Sequence, residues 1–421
     1  MSAAAPNNNR AYPRLREVPV APLAEIWSPM PMTPTWPDRP ALPGPQETDR
    51  VRFALNPEQN LLKDAVDAFI RDHAGIERRH LGRAQPRGYS AESWRSLAEI
   101  GVLGVPFAAD DGGLGGGPRE LITVMESLGR GLCIEPVLEE VVVAGGLLAR
   151  AGDPAQKDAW LPRLIGGGAH LALAHFEHNA RFDLRDVRSQ ARSASAGRVI
   201  LDGEKSMVPL AADADQWIVS AREGDGESAI GFYLVTPTDP GIERRDYRLI
   251  DGSSASVVRL RGVPATGRLT GDFSDFAAAI DTGRLAAGAE MVGLMSTLFE
   301  STVDYLKTRQ QFGRPLSSFQ ALQHRLADLY VSLEQSRSHL YRAAACMVDN
   351  DSPESAVAGM KSYISRAAIA LGEECVHLHG GMGTTDELNL GHGYKRLVLL
   401  ANLFGDPDSE LIRYNRLRNQ R

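Results

Sequence analysis

The chain has 421 residues, 43% hydrophobic and 24% charged, with a formal net charge of −7. That is enough material for two or three domains with buried cores, in the composition range of ordinary soluble globular proteins. The negative balance excludes a general binder of nucleic acid or anionic membranes and leaves room only for a local basic site.

Cys133, Cys346 and Cys375 are widely spaced with no CxxC pair, the usage of reduced thiols in a cytoplasmic protein rather than of a disulfide framework. No apolar run approaches the roughly 20 residues of a membrane span, and the N-terminus lacks the hydrophobic core of a signal peptide. Residues 1–55 form a Pro-rich extension, with Pro29, Pro31, Pro34, Pro37, Pro40, Pro43 and Pro45 closely spaced. Such a segment favours extended conformations and builds no core of its own. It reads either as a tail or as an arm over a neighbouring subunit, anchored by Trp27 and Trp36.

Helical signals begin at Asn56-Pro57-Glu58-Gln59, which supplies an N-cap, a first-turn proline and a capping-box partner. Leu62, Val66, Phe69 and Ile70 follow on one apolar face, and Ser90 can cap a second helix carrying Trp94, Leu97 and Ile100. The Gly-rich run 110–117 matches neither GxGxxG after a strand nor a P-loop, so it reads as tight turns. Further helix through 125–128 and 141–148 completes an N-terminal helical domain over 56–167. Short apolar runs at 199–201, 217–219, 230–235 and 257–263, bounded by turn residues, then predict a middle β domain over 168–272.

The helical period returns from Asp281. Stripes through Leu285, Val292 and Phe299, then Leu322, Leu326 and Leu333, then Val357, Ile364 and Leu371 predict a C-terminal bundle over 273–421. Between its first two helices lies the run Thr308-Arg309-Gln310-Gln311-Phe312-Gly313-Arg314-Pro315-Leu316. Arg309 falls on the last helical turn, Gly313 and Pro315 redirect the chain, and Ser317 or Ser318 can cap the helix that opens Phe319-Gln320. Locally this is equally a helix corner or a site.

The third bundle helix runs into His377-Leu378-His379-Gly380-Gly381-Met382-Gly383. Paired glycines there either cap the helix or admit a backbone or planar ligand closely. His-Gly-Gly also occurs in esterase oxyanion loops, yet the chain has no GxSxG and no SxxK. No Asp, Glu or Cys completes a metal set around His377 and His379, so no metal site is expected.

Taken together, the residues 94–117 (WRSLAEIGVLGVPFAADDGGLGGG), Arg309-Gln310-Gln311-Phe312-Gly313 with Phe319-Gln320, and His379-Gly380-Gly381-Met382-Gly383 resemble the acyl-CoA dehydrogenase family over roughly 56–415. Within it, Leu201-Asp202-Gly203-Glu204-Lys205 and Thr385-Asp386-Glu387-Leu388 look most like the small subunits of two-component dehydrogenases such as pimeloyl-CoA dehydrogenase. The resemblance implies an α+β multidomain fold: an N-terminal helical domain, a middle β-barrel-like domain and a C-terminal four-helix bundle. It implies FAD as cofactor, an acyl-CoA substrate from fatty acid or steroid side-chain breakdown, and an oligomer that completes the flavin site. Carried over by position, Arg309 meets the FAD pyrophosphate, Phe312 and Gly313 lie beside the adenosine part, Gln320 lies near the adenine, and His377, Gly380 and Gly381 contact the cofactor across the dimer.

The departures concern the base. Family chemistry takes a proton from the carbon α to the thioester, and a positioned carboxylate contributes about 10²–10⁴ in rate. The usual glutamate precedes a glycine that matches Gly405, where this chain has Phe404; the alternative location, directly before Arg284, is Gly283. Asp406 and Asp281 are the nearest carboxylates, the first read as a loop or cap residue and the second as an N-cap. Phe176 and Met207-Val208-Pro209 also replace residues expected to meet the flavin. Three readings follow: a subunit of a hetero-oligomer whose homologous partner (heterodimer or heterotetramer) supplies the glutamate, a self-sufficient homo-oligomeric enzyme with a displaced base, and a non-catalytic paralogue. Gly283, Ala286, Ala287 and Gly288 hint at extra room near a helix start for a bulky acyl group.

Overall fold

The computed structural model describes residues 55–420 apart from 74, 86, 195–196 and 225–229; the Pro-rich extension with Trp27 and Trp36 lies outside them. Helix α1 (Pro57–His73) opens on a reciprocal capping box, Gln59 N donating to Asn56 Oδ1 at 2.8 Å and Asn56 N to Gln59 Oε1 at 2.9 Å. Helices α2 (Ile76–Arg83) and α3 (Ala91–Glu99) follow, the latter capped by Ser90. The glycine run forms tight turns, with Gly112 and Gly115 at positive φ, before α4 (Pro118–Arg130).

Residues Val137–Gly145 form a π-helical segment that continues into α5 (Gly146–Ala151), and α6 (Pro154–Ile165) follows. Neighbouring carboxylates of this segment have different partners: Glu140 accepts from His170 Nδ1 at 2.9 Å, while Glu139 lies 3.2 Å from Arg396. Apolar periodicity cannot distinguish this winding from an α-helix.

The middle segment comprises β1 (Leu171–Ala174), β2 (Gln190–Ser193), β3 (Val199–Pro209), β4 (Gln216–Glu223), β5 (Ile230–Val235), β6 (Ile242–Arg248), β7 (Ser254–Pro264) and β8 (Gly267–Arg268). Among the described residues these make one sheet in the order β6-β7-β3-β2-β4-β5-β8, with β1 parallel to β4. The apolar runs of the sequence lie in β3, β4, β5 and β7. β6 carries Ile242-Glu243-Arg244-Arg245-Asp246-Tyr247-Arg248 and shows no such run, because it pairs with β7 along a largely exposed edge.

Helix α7 (Phe273–Thr308) starts earlier than the sequence suggests: Asp272 is its cap, accepting from Ser274 N at 2.7 Å. Asp281 is therefore not an N-cap but a buried residue of the third helical turn. Its oxygens pair with Arg284 at 2.9 Å and Arg413 at 2.7 Å. Glycines let α7 cross α4 closely. A Cβ on Gly129 would stand 2.2 Å from the Glu290 carbonyl, and one on Gly293 2.0 Å from that of Glu126. The small residues near the start of α7 leave no spare room either, since a Cβ on Gly288 would meet Met360 Sδ at 2.6 Å. Helices α8 (Gln320–Asp349), α9 (Pro353–His379), α10 (Asn389–Asn402) and α11 (Pro407–Asn419) complete the bundle.

Arg396 of α10 ties the segments together. It meets Glu290 of α7 at 2.6 Å, and both Glu139 of the π segment and Asp251 of the β6–β7 turn at 3.2 Å. Burial raises the Glu290 pKa. At Asp251, by contrast, Arg396 and Arg83 outweigh burial and hold the carboxyl below the usual range. Among the described residues no helix is long and apolar enough to cross a membrane.

Candidate functional site

The two places where a base is expected meet in space. Phe404 follows α10, is 4% exposed and adopts a left-handed φ of 63°. Its ring lies over Gly283 of α7: a Cβ there would stand 3.3 Å from Phe404 Cε2 and 2.6 Å from Val143 Cγ2. On the other side Phe176, just beyond β1, packs on Phe404 with ring centroids 6.3 Å apart. His175 in turn packs against Phe276 at 4.3 Å. Aromatic rings thus meet at this junction of sheet and bundle, and neither expected position carries a carboxylate.

Both neighbouring carboxylates are engaged elsewhere. Asp406 is the N-cap of α11, accepting from Ser409 N at 2.7 Å, and Asp281 holds two arginines. The turn between α10 and α11 is held firmly. Arg284 donates to the Phe404 carbonyl at 3.0 Å and pairs with Glu410 at 2.9 Å. The fully buried Lys361 donates to the carbonyls of Leu400, Ala401 and Gly405, each at 3.0 Å. Burial pushes the Lys361 ammonium down to about 7. A lone lysine on the apolar stripe of α9 was the one sequence signal for this clamp; the Arg396 hub, with Glu290 more than a hundred positions away, has none.

The corner after α7 contrasts with this closed region. Arg309 caps α7 in an extended conformation, and Gln310-Gln311 pairs with Arg314-Pro315 as a two-residue hairpin through Phe312 and Gly313, at φ 56° and 77°. Neither serine caps α8: Phe319 occupies that position without a side-chain bond, and Ser318 Oγ donates to the Pro315 carbonyl at 2.7 Å. Phe312 is 88% exposed, Gln320 is exposed, and among the described residues the Arg309 guanidinium has no ion pair.

Tyr305, one turn before Arg309, stacks on His379 at 4.3 Å and hydrogen-bonds its carbonyl at 3.4 Å. That contact brings the end of α7 to the end of α9, so the corner and the Gly380-Gly381 loop share one face. Gly313, Gly380 and Gly381 each have open space where a Cβ would project. His377 is exposed at the same helix end, its Nδ1 3.2 Å from Arg325 of α8. The face presents an unpaired guanidinium, bare backbone and an aromatic ring, a set suited to a diphosphate with a planar base.

Models of the acyl-CoA dehydrogenase N-terminal, middle and C-terminal domains match residues 56–168, 172–263 and 273–410. Acyl-CoA dehydrogenase FadE27 of Mycobacterium tuberculosis is 30% identical over 335 residues, 77% of this chain and 85% of that protein. Two solved assemblies have similar chains. The Tcur3481-Tcur3483 steroid ACAD has a TM-score of 0.79 at 28% identity, covering 86% of this chain and 98% of that one. The ChsE4-ChsE5 complex of Mycobacterium tuberculosis has a TM-score of 0.78 at 25% identity, covering 88% and 99%. Fold and relatives define a flavoprotein oxidoreductase with FAD as cofactor. The chain belongs to the acyl-CoA dehydrogenase family.

Proposed function

We propose that this chain is the smaller partner of a two-component acyl-CoA dehydrogenase, completing a flavin site without abstracting the substrate proton. Its homologous partner brings the glutamate and the surface against which the flavin ring lies. Bound FAD supplies the hydride acceptor. This chain contributes Arg309 to the pyrophosphate, Phe312, Gly313 and Gln320 to the adenosine end, and the backbone of Gly380 and Gly381, with His377 beside them. The observation that carries the reading is the packing of Phe404 on Gly283 and Phe176: both base positions are apolar and in contact with each other. The open glycine loop beside Arg309 supports the other half of it. Two relatives named as two-component assemblies, one a steroid ACAD, make an acyl-CoA with a polycyclic or similarly bulky acyl group the substrate class to try first.

The test is expression of the chain alone and together with homologous chains encoded beside it. The expected result is a colourless lone protein, and a yellow, active complex whose FAD occupancy falls on Arg309→Ala. Losing a charge-assisted contact to a diphosphate weakens binding by about 10- to 100-fold. A lone chain that carries stoichiometric FAD and reduces it with acyl-CoA would overturn the proposal.

A further inference from the structure

The segment between α9 and α10 is held at both ends by side chains of other elements. At its start the Tyr305 ring stacks on His379, with centroids 4.3 Å apart and planes 19° from parallel. The Tyr305 hydroxyl donates to the His379 carbonyl at 3.4 Å. His379 is itself buried, and its Nδ1 lies 2.9 Å from the Cys375 carbonyl of α9, so the ring that Tyr305 covers is fixed. Tyr305 belongs to the last turn of α7, where its own carbonyl accepts from Arg309 N at 2.8 Å. One residue therefore contacts both halves of the corner.

The far end is held by an imidazole pair. His80 of α2 and His392 of α10 each place Nε2 3.3 Å from the Asp386 carbonyl, with their rings edge-on at 5.4 Å. In the Nε2–H tautomers both rings donate, and the two lone pairs of a carbonyl oxygen admit both bonds. Between these anchors the chain has little freedom. Gly380 sits at φ 60° and ψ −141°, a region open in practice to glycine alone. Residues Gly380–Thr384 close into a 3₁₀ turn, with Thr384 Oγ1 donating to the Gly381 carbonyl at 3.0 Å. Gly383 is buried, and a Cβ there would stand 2.5 Å from the Val376 carbonyl. These local bonds shape the turn; its place beside Arg309 is set by Tyr305 at one end and the imidazole pair at the other.

We propose that Tyr305, His80 and His392 are positioning residues for the flavin site, holding Gly380 and Gly381 in place before the cofactor binds. The proposal rests on the assignment of FAD to the Arg309 corner. Its physical content is preorganisation. Backbone that is already ordered loses no further conformational entropy on binding, and freeing one residue weakens affinity by about five- to thirtyfold. The imidazole pair also makes α2, more than three hundred positions away in the chain, a support of the same loop.

Two measurements test it. Hydrogen–deuterium exchange of the full chain by mass spectrometry reads the loop without any cofactor. Tyr305→Leu removes the stack and should speed exchange about tenfold in peptides covering 380–386, while peptides from β3 and β7 keep the parent rates. Tyr305→Phe keeps the stack and loses only a long hydrogen bond, so it should exchange as the parent does. His80→Ala alters an exposed residue and provides a variant that folds; it should speed exchange about twofold or more in the same peptides. Titration of FAD into the apo-complex with the homologous partner then reads the site. Its Kd should rise about five- to thirtyfold in Tyr305→Leu and stay within about twofold of the parent in Tyr305→Phe. The proposal is overturned if Tyr305→Leu and His80→Ala both leave loop exchange unchanged. It is overturned equally if FAD affinity survives Tyr305→Leu but falls in Arg309→Ala. If Arg309→Ala also leaves FAD affinity unchanged, the corner assignment falls, and this proposal with it.

Discussion

Phe404 offers a prediction whose sign runs against common experience. Its ring is buried between Gly283, Val143 and Phe176, so truncation to alanine removes a large apolar contact and leaves a cavity. Phe-to-Ala changes of this kind cost about 3–5 kcal/mol. The backbone, however, sits at φ 63°, where any residue with a Cβ is strained by about 1–2 kcal/mol. Phe404→Gly makes the same cavity but relieves that strain. Glycine is ordinarily the worse replacement, by about 0.5–1 kcal/mol, because its unfolded chain is freer. Here the relief outweighs the entropy, and Phe404→Gly should unfold at higher urea than Phe404→Ala, both below the parent. Urea unfolding followed by tryptophan fluorescence measures this, provided the slopes agree so that midpoints report stability alone. If Phe404→Ala proves the more stable of the two, the left-handed turn is not strained and the account of how Phe404 is held is wrong.

Three further outcomes follow from the same geometry. Asp406→Ala should cost only the cap of α11, about 1 kcal/mol, and leave flavin reduction by the assembled complex unchanged; loss of reduction would make Asp406 a base after all. Arg396→Met takes the cation from buried Glu290 and half-buried Glu139, leaves Asp251 only Arg83 at 3.7 Å, and should destabilise by about 3–5 kcal/mol in the same unfolding assay. Lys361 has a folded-state pKa near 7 against 10.5 for the free side chain. Between these values the unfolded chain binds a proton that the folded chain has released, so the Lys361 contribution to stability rises with pH through that window. Lys361→Met should flatten that rise; identical slopes for parent and variant would show that the ammonium stays charged in the fold.

Much of the architecture follows from local chemistry. The Asn56 and Ser90 caps, the apolar runs of β3, β4 and β5, and the breaks at Gly313 and Ser352-Pro353 act within a few residues, so the chain itself specifies them. The run Arg309 to Gln320 with Gly380-Gly381, proposed to meet the flavin, was legible only as residue types suited to a diphosphate and a close approach. Its placement on one face was not, because it depends on Tyr305 stacking on His379 across two long helices. The start of α7 was misplaced because Asp281 resembles a cap locally, whereas burial against Arg284 and Arg413 decides its role. Above all, the sequence states that Phe404 and Gly283 lack a carboxylate, and nothing more. That the two positions touch, and that Phe176 packs on the far side of the Phe404 ring, is a fact of packing between segments more than a hundred residues apart. Only the tertiary structure turns two substitutions into one apolar contact.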